Sequence, residues 1–216
     1  MNIDDSDFEL LASAKHHTDR LDGVADAGRV VVIDVPNNVF QAAKRQGRKR
    51  NSQHNGSGKV DGDSQAAHER GLVAEMAVAW YLGSELDMDL MSSGDDGVDL
   101  RVNGLTVDVK SCRPKFADDM LVDTDCIHKR DNPADVFLST AVDMRYGVVF
   151  LVGQCSRETV ANQDARKYPK KRINYVVDVD DLQSPTQRLS DPGFNPAPEL
   201  DVGGQTDGFV AASQLD

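Results

Sequence analysis

Long apolar runs are missing from this chain. No stretch approaches the ~18 residues that a membrane-spanning helix needs, so no membrane partner is expected. The opening Met1-Asn2-Ile3-Asp4-Asp5 is acidic and holds no apolar stretch, so no signal peptide is expected either. Cysteine is scarce: Cys112, Cys126 and Cys155 are too few and too scattered for a disulfide framework or a thiolate metal site, and they fit a reducing cytoplasm. The histidines (His16, His17, His54, His68 and His128) show no metal-ligand spacing such as His-x-x-x-His. There is no Walker loop, no GxGxxG and no nucleophile elbow, which leaves nucleotide-cradling and serine-hydrolase chemistry without a carrier. Positive charge is in deficit, with 24 Lys and Arg against 36 Asp and Glu, a net charge of -12. Glutamate itself is rare, since 30 of those acids are Asp and 6 are Glu. So Asp-rich a surface suggests a protein adapted to high salt, with a variable set of acidic loops as the blander alternative, because net charge speaks to solubility and not to fold.

What is present suffices for one well-cored domain. The chain has 216 residues, 39% of them hydrophobic. Residues 1–28 are polar and acidic, with a short helix expected near Phe8–Lys15. Val30–Val35 reads as a strand stopped by Pro36, and Asn37 as the cap of a helix to about Gln46. Residues 51–63 read as a mobile loop. Ser64 opens a helix expected to run to about Leu82, with Gly83 ending it. Val98–Val102 and Leu105–Ser111 are strand-like and flank Asn103-Gly104, the strongest short hairpin signal. An acidic loop is expected from Pro114 to Pro133, then strands over Val136–Ala141 and Val148–Val152, a short helix from Ser156 and a strand over Ile173–Val179. Residues 29–183 thus form an α/β domain, and residues 184–216, rich in Pro, Gly, Asp and Ser, form a tail expected to be disordered.

The hairpin register can be derived. A two-residue turn at Asn103-Gly104 sets Val102 against Leu105, Leu100 against Val107 and Asp99 against Asp108. Directly opposed residues share a sheet face with Cβ atoms ~5 Å apart. Strand alternation adds Lys110 to that face and places Val107 and Val109 on the other. Two opposed carboxylates repel, and a divalent cation between them turns the repulsion into a site. In the helix, Glu75 is the only charge among the eleven residues Leu72–Leu82. A carboxylate in so apolar a helix is expected to be buried and to need a cation. Gly71, one turn earlier, allows close approach.

Gly71-x-x-x-Glu75, the Asp99 of Gly-Asp-Asp-Gly-Val-Asp-Leu and Asp108-Val109-Lys110 together resemble the PD-(D/E)xK nuclease superfamily, and look like its phage and archaeal-virus members. The resemblance covers about residues 64–112 and extends more weakly over the strands to about 180. It implies a restriction-endonuclease-like fold, a central mixed sheet flanked by helices. It also implies magnesium or manganese held by Asp99, Asp108 and Glu75, with Lys110 serving the attacking water. The chain departs from the pattern in having Val98 where proline is usual and Asp108 where Glu is commoner. Asp95 and Asp96 are alternatives to Asp99. The implied function is hydrolysis of phosphodiester bonds in DNA, as an endonuclease or junction resolvase. The alternative is a non-catalytic nucleic-acid-binding or assembly protein that keeps the fold. Nucleic acid is expected to contact two basic clusters, Lys44, Arg45, Arg48, Lys49 and Arg50 in the first, and Lys170, Lys171 and Arg172 beside Tyr168 in the second. A homodimer is left open.

Overall fold

The turn at Asn103-Gly104 fixes the register around which the rest is built. Both residues have positive φ (50° and 81°), as a type I′ turn requires. Strand β2 (Leu100–Val102) therefore pairs antiparallel with β3 (Leu105–Cys112) through Leu100 with Val107 and Val102 with Leu105. The computed structural model describes residues 30–54, 64–84, 98–128, 134–169 and 172–185. The expected N-terminal extension and its short helix, Asp95, Asp96, Lys170, Lys171 and residues 186–216 lie outside them, as does the side chain of Arg50.

A mixed five-stranded sheet forms the centre. Its order is β1 (Val31–Asp34), β6 (Val148–Ser156), β5 (Val136–Asp143), β3, β2. Only β3 and β5 run parallel. Strands β5 and β6 are buried along almost their whole length. They are mostly apolar, broken by the buried Ser139, Thr140 and Gln154, because both faces are covered. One face packs against α1 (Asn37–His54) and α2 (Ser64–Tyr81), burying Leu72, Met76, Leu100, Val107, Leu138 and Leu151 in one core. The other face meets a three-stranded sheet of β4 (Asp119–Asp123), β8 (Ile173–Asp178) and β7 (Ala165–Lys167), burying Phe137, Phe150, Val122 and Val177 in a second core.

The region after Pro114 departs from expectation. Residues 114–128 are not a loop: a 3-10 turn at Pro114–Phe116, β4 and the short helix α3 (Thr124–His128) occupy them, and residues 129–133 lie outside the described residues. Helix α1 also runs past Gln46 to His54, taking in residues 51–54 of the expected loop, because its basic residues are good helix formers. Gly47 is tolerated there because α2 crosses at that point. A Cβ on it would come 2.6 Å from the Glu69 Cα. Helix α2 ends as expected. Gly83 has φ 60°, its N–H bonds the Trp80 carbonyl, and the Ser84 N–H bonds the Ala79 carbonyl. Ser156 caps α4 (Arg157–Ala161), accepting from the Thr159 N–H at 3.1 Å.

Asp135 anchors the start of β5 to the hairpin. Its carboxylate accepts from both the N–H (3.0 Å) and the hydroxyl (2.8 Å) of Thr106, while its own N–H donates to the Thr106 carbonyl. The backbone hydrogen bond from Thr106, then the hydroxyl, hold the Asp135 carboxyl below its ordinary value of 3.8. A carboxyl with a lowered folded pKa stabilises above the unfolded value and loses that contribution as pH falls through the folded one. Asp135→Ala is therefore expected to cost about 1–3 kcal/mol at neutral pH. The difference from wild type should shrink on acidification below about pH 4. Chemical melts of both proteins across that range check it, and equal stability at pH 7 would show the clamp to be idle.

Candidate active site

Three constraints position the four expected residues. Asp108 and Lys110 alternate along β3 with Val107 and Val109, which belong to the helix-side core. Both side chains therefore project toward the layer opposite the helices. There Lys110 Nζ lies 2.7 Å from Asp108 Oδ2, 3.8 Å from Cys126 Sγ on α3 and 5.8 Å from the centre of the Phe137 ring. Asp108 is 4% exposed and Lys110 half-buried. Glu75, 8% exposed, sits on α2 on the helix side of the sheet. A Cβ on Gly71 would come 3.6 Å from Glu75 Oε1 and 4.0 Å from Ser111 Oγ, so these groups line one narrow space.

Asp99 joins the two sides. The expected pairing with Asp108 does not form. Strand β2 begins only at Leu100, and the Asp99 N–H bonds the Val107 carbonyl at 2.8 Å, one residue off the ladder. A continued ladder would have set two carboxylates face to face, which is repulsive. The Asp99 side chain instead takes the place of the missing strand. Its Oδ2 accepts the Val109 N–H at 2.7 Å, on the edge of β3 that β2 leaves open. Burial first, then the charges of Glu75 and Asp108, push the Asp99 carboxyl well above its ordinary value, against the opposing Val109 N–H and Lys110. Glu75 and Asp108 thus both act on Asp99 electrostatically although the three come from two faces and an edge. Burial pulls Lys110 down, but Asp108, Cys126, the hydrogen bond to Asp108 and Asp99 together hold it above the ordinary lysine value. These partners favour the charged form of Lys110 in the metal-free protein.

The charge of this cluster suits a divalent cation, because three acids face one ammonium. The oxygens are turned inward, Asp108 toward Lys110 and Asp99 toward the Val109 N–H. Among the described residues no group of three His, Cys, Asp or Glu side chains stands in metal-holding geometry.

The basic clusters divide. Arg48 Nε pairs with Glu69 Oε1 at 3.1 Å, Lys44 lines a cavity beside α2, and Arg45 and Lys49 are exposed. Arg172 and Tyr168 are exposed around the β7–β8 connection. Sequence reading passed over Arg70, Arg113, Lys115 and Phe116, which line cavities next to Lys110. The interleaved run Arg113-Pro114-Lys115-Phe116, three residues past Lys110, is the signal that could have found them. Among the described residues no helix is long and apolar enough to cross a membrane. No protein-family model, no curated protein and no solved structure matches this chain.

Proposed function

We propose that this chain is a metal-dependent nuclease of restriction-endonuclease-like fold that hydrolyses phosphodiester bonds in DNA, acting in a reducing cytoplasm. The observation that carries the reading is the Asp99 carboxylate held on the Val109 N–H at 2.7 Å, next along β3 to the 2.7 Å Asp108–Lys110 ion pair, with Glu75 and Asp108 both acting on Asp99 electrostatically. A fold gains nothing by gathering three acids around one strand edge unless a cation joins them. Asp99 and Asp108 would hold magnesium or manganese, with Glu75 as a third ligand, direct or through water. When bound, such a cation lowers the pKa of its water and offsets charge on the phosphate. Lys110, fixed by Asp108, presents a constant positive charge to the scissile phosphate and orients the nucleophile through hydrogen bonds.

The test is incubation with linear, circular, single-stranded and branched DNA, with and without magnesium, at low and at molar salt. Magnesium-dependent cleavage supports the reading, whereas an intact substrate under every condition sinks it. The inward commitments of Asp108 and Asp99 favour one second reading, a nucleic-acid-binding or assembly protein that keeps the fold without catalysis. It predicts binding that magnesium leaves unchanged.

A further inference from the structure

Two cavities adjoin the candidate site. One, of about 630 Å³, opens beside Lys110 and Ser139 and reaches Phe116 and Tyr168. The other, of about 480 Å³, extends to Lys44 and Arg145. They share the side chains of Arg70, Arg113 and Lys115, so the two form one cleft whose middle is cationic. In a chain of net charge -12 this concentration is against the grain of the surface. Acids are present too: Asp118 and Asp119 line the first cavity, and Glu69 and Asp143 the second. Glu69 is already engaged by Arg48 and Gln65, and Asp143 accepts the Arg145 N–H.

The aromatic residues decide what such a cleft fits. Phe116 is 55% exposed and Tyr168 42%, two of the few large apolar side chains left so open among the described residues. Each carries a cation over its ring, Lys115 Nζ at 4.7 Å from Phe116 and the Arg166 guanidinium at 5.6 Å from Tyr168. Exposed rings beside cations along a groove are the arrangement that stacks bases while tracking phosphates. A duplex cannot use them, because its bases are already stacked inside it. A cleft of this volume is also sized for a small ligand or a nucleotide or two, not for a double helix.

We propose that this cleft binds an unpaired nucleic-acid strand, with bases stacked on Phe116 and Tyr168 and the backbone led past Arg113 and Lys115 toward Lys110. The inference rests on the nuclease reading for its endpoint, and narrows the substrate to a single strand or the unpaired arm of a branched DNA.

The test measures anisotropy of a labelled single-stranded 15-mer DNA, the same sequence as RNA, and the blunt duplex DNA, all in EDTA with the full chain. The single strand should bind at least ~10-fold tighter than the duplex. Phe116→Ala and Tyr168→Ala should each weaken single-strand binding by ~5- to 150-fold, and Arg113→Gln should reduce its salt dependence. Phe116→Leu, which keeps bulk but not the flat ring, guards against a folding defect and should weaken binding as well. Preference for RNA over DNA would keep the cleft and change the sugar. Equal affinity for strand and duplex, or variants that bind like wild type, would overturn the proposal. Tight strand binding without magnesium-dependent cutting would uphold the cleft and remove the nuclease reading. Cutting of duplex alone, with the aromatic variants fully active, would do the reverse.

Discussion

Lys110→Met is expected to lower the single-turnover cleavage rate by ~10²- to 10³-fold, the loss typical when a fixed charge aimed at a transition state is removed. It should also destabilise the metal-free protein. Asp108 is buried and lies 2.7 Å from the ammonium, so the variant leaves its charge without that partner and within electrostatic reach of Asp99. A loss of about 2–3 kcal/mol is expected, below the range for fully buried pairs because Lys110 retains some contact with water. Magnesium should recover much of that stability, since it supplies the missing positive charge, without recovering the rate. Lys110→Arg should restore the melting temperature but only part of the turnover, because the guanidinium keeps the charge and changes the geometry. Measured melts in EDTA and in magnesium, set beside rates, check all of this. A Lys110→Met protein that cuts at the wild-type rate would falsify the assignment.

The parts of this fold that could be read from sequence are those decided locally. Asn103-Gly104 can make only a few turns, so the hairpin and its register through Leu100 and Val107 followed directly. Gly83 and Ser156 marked helix ends for the same reason. What escaped was decided at a distance. Strand β4 pairs with β8, some fifty residues away, and its own sequence Asp119-Met120-Leu121-Val122-Asp123 looks like loop until that partner and the Phe137 core are present. Helix α1 continues through Gly47 because α2 lies against it, a contact invisible from one segment. The candidate site shows the same division. Alternation along β3 placed Asp108 and Lys110 together correctly, since a period of two is a property of any strand. It failed for Asp99, where the ladder stops and the side chain turns into the strand edge to meet the Val109 N–H. Alternation is silent on which face the Glu75 helix covers, and the structure sets that helix against the face that carries Val107 and Val109, across the sheet from Asp108. The cleft cations come from α2 and the segment after β3, and only packing brings Arg70 beside Arg113.

Asp99→Asn and Glu75→Gln carry the remaining large effects, and their signs separate a metal site from an ordinary core ion pair. The Asp99 carboxyl is raised by burial and by the charges of Glu75 and Asp108. Its ionised form is thus a cost to the metal-free fold at neutral pH. A raised folded pKa means that the native state holds a proton which the unfolded chain has already released. Stability of the metal-free protein should therefore rise as pH falls from the raised value toward 3.8, opposite to the contribution of Asp135. Asp99→Asn keeps the shape and an acceptor for the Val109 N–H, removes the charge, and should abolish that acid-side gain. In EDTA at pH 7 it should be more stable than wild type by about 1–3 kcal/mol. Glu75→Gln should move the same way by a smaller amount, because it removes one of the charges acting on Asp99. Both variants should lose the rise in melting temperature that magnesium gives wild type, and both should cut at least ~100-fold more slowly. If Glu75 instead serves a cation within the core, Glu75→Gln strands that charge. The protein should then lose roughly 3 kcal/mol or more in EDTA while its folded fraction keeps cutting. Paired melts with EDTA and with magnesium, alongside a cleavage assay, distinguish the two. Stable, inactive and magnesium-blind variants place Glu75 and Asp99 at the metal, and unstable but active ones return Glu75 to the core.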